Sequence, residues 1–422
     1  MKTTRLTTFA VALFPLLTLP SYAQSGGDLT PPPGAPGKTM KSLDQVEPRT
    51  PLVDGAAGVS IGGTGTITIS QSGSYYLAEN LSVTSGNGIT INASGVTLDL
   101  RGFTITSTSA SPSAYAISVN GSNISIHNGH IISGTTYSTG SGTFSGGGFQ
   151  YGVYSFDTNY RNIRVQDLSV QGCNAHGIYL ANLDTSQVHS CTVHSIGAIG
   201  IYAGLVRHCN VQDCGTAGIS AYTVSHCRSE TIAGTAIDAD SVSDSIGITN
   251  GSGDGIYGRT VANSYGNATA SNSSHGIDAI TSVSNCYGYT YGTGDGIDAA
   301  TVINSYGWAV DTAVAGIDAT GSVSNSYGYT SGSGGGIEAN NVINSYGYAS
   351  GSTTTTGIDA IDSVSSSYGY TSGSGDGIRS TIISYSRGYK TGGGAGFGLQ
   401  CTIGIGCDAI GGQNIFNKYL MP

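Results

Sequence analysis

The stretch Gly276-Ile277-Asp278-Ala279-Ile280-Thr281-Ser282-Val283-Ser284-Asn285-Cys286-Tyr287-Gly288-Tyr289-Thr290 decides the fold, because it returns with few changes from Gly296 to Ala309 and again from Gly316 to Thr330. Inside it, Ile-Asp-Ala and Tyr-Gly-Tyr alternate small or apolar residues with polar or aromatic ones, the period of two that belongs to a strand. No segment sustains a helical period of 3.6, and glycine and β-branched residues are abundant. Moving outward in both directions, an isoleucine column runs from Ile178 through Ile219, Ile256 and Ile297 to Ile378 at intervals of 18 to 23 residues. A second column runs from Val170 through Val206, Val242 and Val302 to Val364 and Ile383, and three residues after each member stands a small side chain. These are Cys173, Cys191, Cys209, Cys227, Ser245, Ser264, Cys286 and then serines to Ser386, so twelve coils share one register. Repetition at this scale is the mark of a solenoid.

The residue before each small one is Gly172, Ser190, His208, His226, Asp244, Asn263, Asn285, Asn304, Asn325, Asn344 or Ser366. Most of these types tolerate a left-handed backbone, so a bend is expected there, with valine and the small residue both facing inward although three apart. Proline is absent from 113 to 421, as expected where each backbone N–H pairs with the next coil. The reading is an all-β parallel β-helix with coils of about 18–23 residues.

Composition narrows the function classes. Glycine contributes 67 of 422 residues, well short of the third that collagen needs, and only 9% of residues are charged. A net charge of −10 with 15 Lys plus Arg supplies no basic stripe for phosphates, so no nucleic acid partner is expected. Lys2 and Arg5, the apolar run Phe9 to Leu19 and Ser21-Tyr22-Ala23 form a signal peptide over 1–23, which predicts an exported protein that is secreted, periplasmic or on the cell surface. No later run is long enough for a membrane span. Residues 24–51 hold six of the ten prolines and read as a linker, followed by the β-helix with its N-terminal cap over 52–400 and a C-terminal cap or tail over 401–422. A monomer is expected.

The segment Gly95-Val96-Thr97-Leu98-Asp99-Leu100-Arg101-Gly102-Phe103-Thr104-Ile105, preceded by residues 73–83 and Gly88-Ile89-Thr90-Ile91, resembles the opening coils of secreted right-handed parallel β-helix repeat proteins of the pectate-lyase-like superfamily. That resemblance implies the right hand. It leaves activity open, since the superfamily includes lyases, hydrolases and adhesins. The Asn-Thr-Asp, Asp-Asp, Gly-His-Gly and Arg-Ile-Lys segments of polygalacturonase-like hydrolases are absent, so a non-catalytic binding or structural role is the first expectation. The alternative is a polysaccharide lyase or glycoside hydrolase acting beside inserted loops at 106–116 and 133–152.

Three outward or terminal features are candidate sites. The pairs Tyr287 and Tyr289, Tyr306 and Trp308, Tyr327 and Tyr329, Tyr346 and Tyr348, and Tyr368 and Tyr370 form a double aromatic ladder suited to a polysaccharide or cell-surface glycan. Asp278, Asp298, Asp318, Glu338 and Asp359 follow the isoleucine column as an acidic stripe, solvated or bridged by calcium, the one cofactor considered. The regular Cys/Ser column reads as buried free thiols, whereas Cys401 and Cys407 near the C-terminus are a candidate disulfide.

Overall fold

The computed structural model describes residues 49–139, 143–270, 272–310, 314–351 and 354–419. The expected signal peptide and all but the end of the expected linker lie outside them. From Arg49 onward the chain winds into a parallel β-solenoid of about 17 turns with about 21 residues per coil, and no helix occurs among the described residues. Successive coils pair in register: Ile297 with Ile317 and then Ile337, Val302 with Val323 and then Val342, Tyr306 with Tyr327 and then Tyr346.

One late coil shows the unit. The strand Ile297–Ile303 buries Ile297, Ala299 and Val302. Asn304 then adopts φ 50°, and the chain turns into the strand Tyr306–Ala309. The same left-handed φ, between 48° and 54°, recurs at Ser190, His208, His226, Asp244, Asn263, Asn285, Asn325, Asn344, Ser366 and Tyr385. The bend leaves one backbone N–H per coil without a ladder partner, and the small inward residue of the next coil accepts it. Ser326 Oγ donates to the Ser324 carbonyl at 2.7 Å and accepts the Ser305 N–H at 3.1 Å. Thiols do the same: Cys227 Sγ lies 3.2 Å from the Ser225 carbonyl and 3.4 Å from the Cys209 N–H. The column therefore demands a small side chain that can both donate and accept, which serine and cysteine meet. Burial pushes the Cys286 thiol up to about 11, so these thiols stay protonated and inert. Val170 and Cys173, expected to open the column, stand outside it, because Val165 pairs with Val188 and Val170 with Val193.

Between the two aromatic positions of each late coil stands a glycine. A Cβ on Gly307 would overlap the Gly316 carbonyl oxygen and meet Ile317 Cγ1 at 2.6 Å. The strand Tyr306–Ala309 thus presses on the backbone that enters the next coil, and only glycine fits.

Both ends differ from expectation. Thr50–Pro51, the last residues of the proline-rich segment, pair with Tyr75 and Tyr76, so the solenoid begins inside that segment. An antiparallel hairpin, Val59–Ile61 with Ile67–Ile69, precedes the parallel stack. At the other end the coils continue past residue 400, with Cys401 above Ser380 and the strand Gln413–Tyr419 pairing with Leu399–Ile405. Cys401 and Cys407 are free thiols rather than a disulfide. The register explains it: Cys401 faces the core from a strand, while Cys407 follows the bend residue Gly406 (φ 58°) as the next rung of the small-residue column, its Sγ 3.1 Å from the Ile383 carbonyl.

Candidate functional site

Stacking fixes the aromatic residues. The inner column places Tyr287, Tyr306, Tyr327, Tyr346 and Tyr368 with ring centroids 4.6–5.0 Å apart and planes within 9° of parallel. Tyr265 extends it one coil toward the N-terminus at 5.3 Å. In the outer column Trp308 leans on Tyr329 at 4.5 Å and 43°, and Tyr329, Tyr348 and Tyr370 stack upward to Tyr389. Tyr289 occupies the same register below Trp308. Tyr265 and Tyr389 were not among the expected residues, although the spacing contains them; each belongs to a coil with only one aromatic of the pair.

The rings are half-buried and cover one another's faces. What remains toward solvent is edges and hydroxyls. Burial, reinforced by neighbouring phenols, pushes the Tyr346 hydroxyl up to about 12, so the ladder is an array of neutral donors and acceptors. Some outer hydroxyls are already engaged, as Tyr329 with Ser350 Oγ and Tyr370 with Thr391 Oγ1, both at 3.0 Å.

The two columns differ in what they face. The inner tyrosines form one wall of an open groove of about 1320 Å³ running along the solenoid. The opposite wall is the bend column, Asp244, Asn263, Asn285, Asn304, Asn325 and Asn344 continuing to Ser366, Tyr385 and Gly406, and the Ser/Cys column is its floor. Nine rungs contribute, so the groove is roughly 40 Å long at the strand spacing. The outer residues Tyr289, Trp308, Tyr329, Tyr348 and Tyr370 lie outside it. The asparagines are exposed, and near the N-terminal end they join one another: Asn263 Nδ2 donates to Asp244 Oδ1 and Asn285 Nδ2 to Asn263 Oδ1, both at 3.2 Å. At the far end Arg387 Nε donates to Asp408 Oδ2 at 2.9 Å.

The acidic column is half-buried rather than a solvated stripe, and its members separate. Asp278 and Asp298 lie beside His275, which stands 3.3 Å from Asp254 Oδ1 through Nδ1 and 3.5 Å from Asp295 Oδ2 through Nε2. Burial opposes the charge on His275, but the hydrogen bonds and charges of Asp254 and Asp295 overcome it and push the imidazole up to about 10. Asp318 is pushed up to about 6, by burial first and then by Asp295 and Asp298. Glu338 turns to accept the Gly335 N–H at 2.6 Å, and Asp359 is bound through both oxygens by Arg379. Asp254, His275 and Asp278, and likewise His275, Asp295 and Asp298, bring their ligand atoms within 4.8 Å of one another, a mixed imidazole and carboxylate set rather than the all-oxygen shell of 6–8 ligands that calcium takes. What joins Asp254, His275 and Asp295 is that each precedes a Gly-Ile step in successive coils.

The inserted loop at 133–152 contains an antiparallel pair, Thr136–Ser138 with Thr143–Ser145, and Tyr137 packs on Phe144 at 5.0 Å. Neither this insertion nor 106–116 contains an Asp or Glu. A carboxylate pair that the sequence reading missed stands elsewhere. Asp238 and Asp240 lie two apart on the strand Ile237–Ser243 and line a hollow of about 190 Å³ with Tyr202, Tyr222, Tyr257 and Arg259. Burial, then Asp240 and Asp254, pushes Asp238 up, while Asp240 lies 3.9 Å from Arg259 Nε.

No protein-family model and no curated protein matches this chain. Among solved structures, the enzymatically active domain of tailspike protein 2 of bacteriophage CBA120 is similar at 14% identity, over 74% of this chain and 42% of that one, with a TM-score of 0.26. Full-length tailspike protein 2 from an Escherichia coli O157:H7 bacteriophage is similar at 13% identity, over 74% and 38%, with a TM-score of 0.26. This chain spans less than half the length of either.

Proposed function

We propose that this protein binds an extended, uncharged polysaccharide along the groove between the asparagine column and the inner tyrosines. The observation that carries the reading is the repetition itself: from Asn285 to Asn344, each coil offers an exposed amide facing a phenol across the same floor. Amides and phenols are neutral groups that both donate and accept, as a sugar's hydroxyls require. The charged lining residues, Asp244, Arg387 and Asp408, stand at the ends, and the last two are paired. Because tyrosine faces are stacked on one another, a sugar meets edges and hydroxyls, each contact is weak, and affinity comes from many coils acting on one chain.

The test is retention of the protein on a panel of insoluble polysaccharides, with Asn304→Gly, Asn325→Gly and Asn344→Gly combined. Glycine accepts the left-handed φ, so the melt should hold while retention falls by about tenfold or more. Equal retention of the triple variant, or no retention of the natural protein on any polysaccharide, overturns the reading.

The Asp238 and Asp240 pair supports a second reading, glycoside hydrolysis, and moves it away from the inserted loops. Residues i and i+2 of a strand share a face about 6.5–7 Å apart, near the carboxyl separations that glycosidases use. The carboxyl held up by burial would protonate the leaving oxygen, and the one beside Arg259 would act as the carboxylate. New reducing ends that vanish in Asp238→Asn and in Asp240→Asn are the expected result. Cleavage unchanged in both variants rules this pair out.

A further inference from the structure

Toward the N-terminus the asparagine wall changes chemistry. The rungs below Asn263 are Asp244, His226 and His208, all at the left-handed bend position. The imidazoles of His208 and His226 lie 4.9 Å apart between centroids and 32° from parallel, and His189 meets His208 edge-on at 5.1 Å. A separate hollow of about 440 Å³ is lined by His208, His226 and Asp244, with Cys209 and Cys227 in its floor. The left-handed backbone does not by itself select histidine, because asparagine fills the same position in five later coils.

The geometry points to a transition-metal site at this end of the groove, with His208, His226 and Asp244 as ligands to a divalent ion such as Zn²⁺. Two imidazoles and a carboxylate suit zinc, nickel or copper, and are a poor set for calcium or magnesium. A second contact orients the carboxylate in the way ligands are usually held. Asn263 holds one oxygen of Asp244 at 3.2 Å and leaves the other. Arg228, on the same lining, is paired with Glu230 at 2.8 Å, so its charge is balanced. His208, His226 and Asp244 are all exposed and occupy the bend position of three successive coils. The site needs no polysaccharide and stands or falls apart from the binding reading.

Calorimetric titration of the untagged protein with Zn²⁺ near neutral pH tests it, with Ca²⁺ as the control. One zinc per chain in the micromolar range is expected, weakening on acidification because protons compete for the imidazoles. Asn is native to this backbone position, so His208→Asn with His226→Asn should keep the melt and weaken binding by about tenfold or more. Asp244→Asn should weaken it less. No heat of zinc binding, or binding that survives the double variant and is lost instead in His275→Gln, overturns the site.

Discussion

The early and late coils of this solenoid solve the same packing problem with different material. The stretch from Ile89 to Ile105 buries Ile89, Ile91, Val96, Leu98, Leu100 and Ile105, whereas the strands from Ile297 to Ala309 bury only Ile297 and Val302 among their large aliphatic side chains, beside Ala299 and Ala309. In those coils a broad aliphatic core carries the fold, and the chain tolerates an insertion such as 133–152. From Ile256 to Lys390 the interior narrows to isoleucine, alanine, valine, a Ser or Cys hydroxyl or thiol, and glycine pressed on glycine. There regularity replaces bulk. The late coils hold together through ladders of repeated contacts, and the same regularity puts one amide and one phenol on every rung of the groove. A thick core allows irregular surfaces, whereas a thin one depends on every coil repeating its neighbour.

A methyl group at the thinnest point should give the largest effect. Gly307→Ala places a Cβ against the Gly316 carbonyl of the adjoining coil, backbone that cannot yield without moving that coil, and a loss of about 4 kcal/mol or more is expected. Leu98→Ala in the thick core should lose about 3 kcal/mol by leaving a cavity. Thermal or denaturant melts of both check the order. If Gly307→Ala is the milder of the two, the coils are not pressed together at glycine and the comparison fails.

Charge comes next. His275 is held at about 10 in the folded protein against an ordinary value near 6.5. The stability it supplies is therefore complete below about 6.5, declines as pH rises, and is gone above about 10. His275→Gln should lose about 2 kcal/mol near pH 6, with the deficit closing toward pH 10. Asp318, held at about 6, acts in the same direction for a different reason: the folded chain binds its proton more tightly, so stability falls as pH climbs from about 4 through 6. Asp318→Asn should gain about 1 kcal/mol at pH 7, after allowance for solvent screening, and nothing at pH 4. A pH-independent difference for either variant would contradict the arrangement of charges around Asp295.

Much of this was legible in the sequence because a solenoid writes its contacts as columns. The bend was readable from Asn285, Asn304 and Asn325, since few residue types accept φ near 50°, and the aromatic ladder from Tyr-Gly-Tyr. The groove was not. Asn304 was read as a bend residue alone, and only the folded chain shows that the bend turns its amide toward Tyr306. The acidic cluster was hidden for a related reason: Asp254, His275 and Asp295 differ in type, so no repeated letter marks their column. Asp238 follows Ile237 in the isoleucine column, but no later coil repeats the aspartate of Asp240, so nothing in the sequence marked the two as a pair.

The smallest expected effect separates two explanations of the Cys/Ser column. If the position asks only for a small inward side chain, then Ser326→Ala should be harmless. If the side chain must satisfy the bend, Ser326→Ala strands the Ser305 N–H that Ser326 Oγ accepts at 3.1 Å, while the Ser324 carbonyl keeps the Asn304 N–H at 3.0 Å. Leaving buried groups unpaired costs about 1 kcal/mol or more, even though the volume change is slight. Ser326→Cys keeps a donor and an acceptor, as Cys286 does two coils away in the same column with its Sγ 3.1 Å from the Ser284 carbonyl and 3.4 Å from the Ser264 N–H. It should fall within about 0.5 kcal/mol of the natural protein. Melts of the two variants at one pH decide it: alanine below cysteine supports the hydrogen-bonded ladder, and equal melts reduce the column to a matter of size, in which case the late coils lose one of the ladders that distinguish them from the early ones.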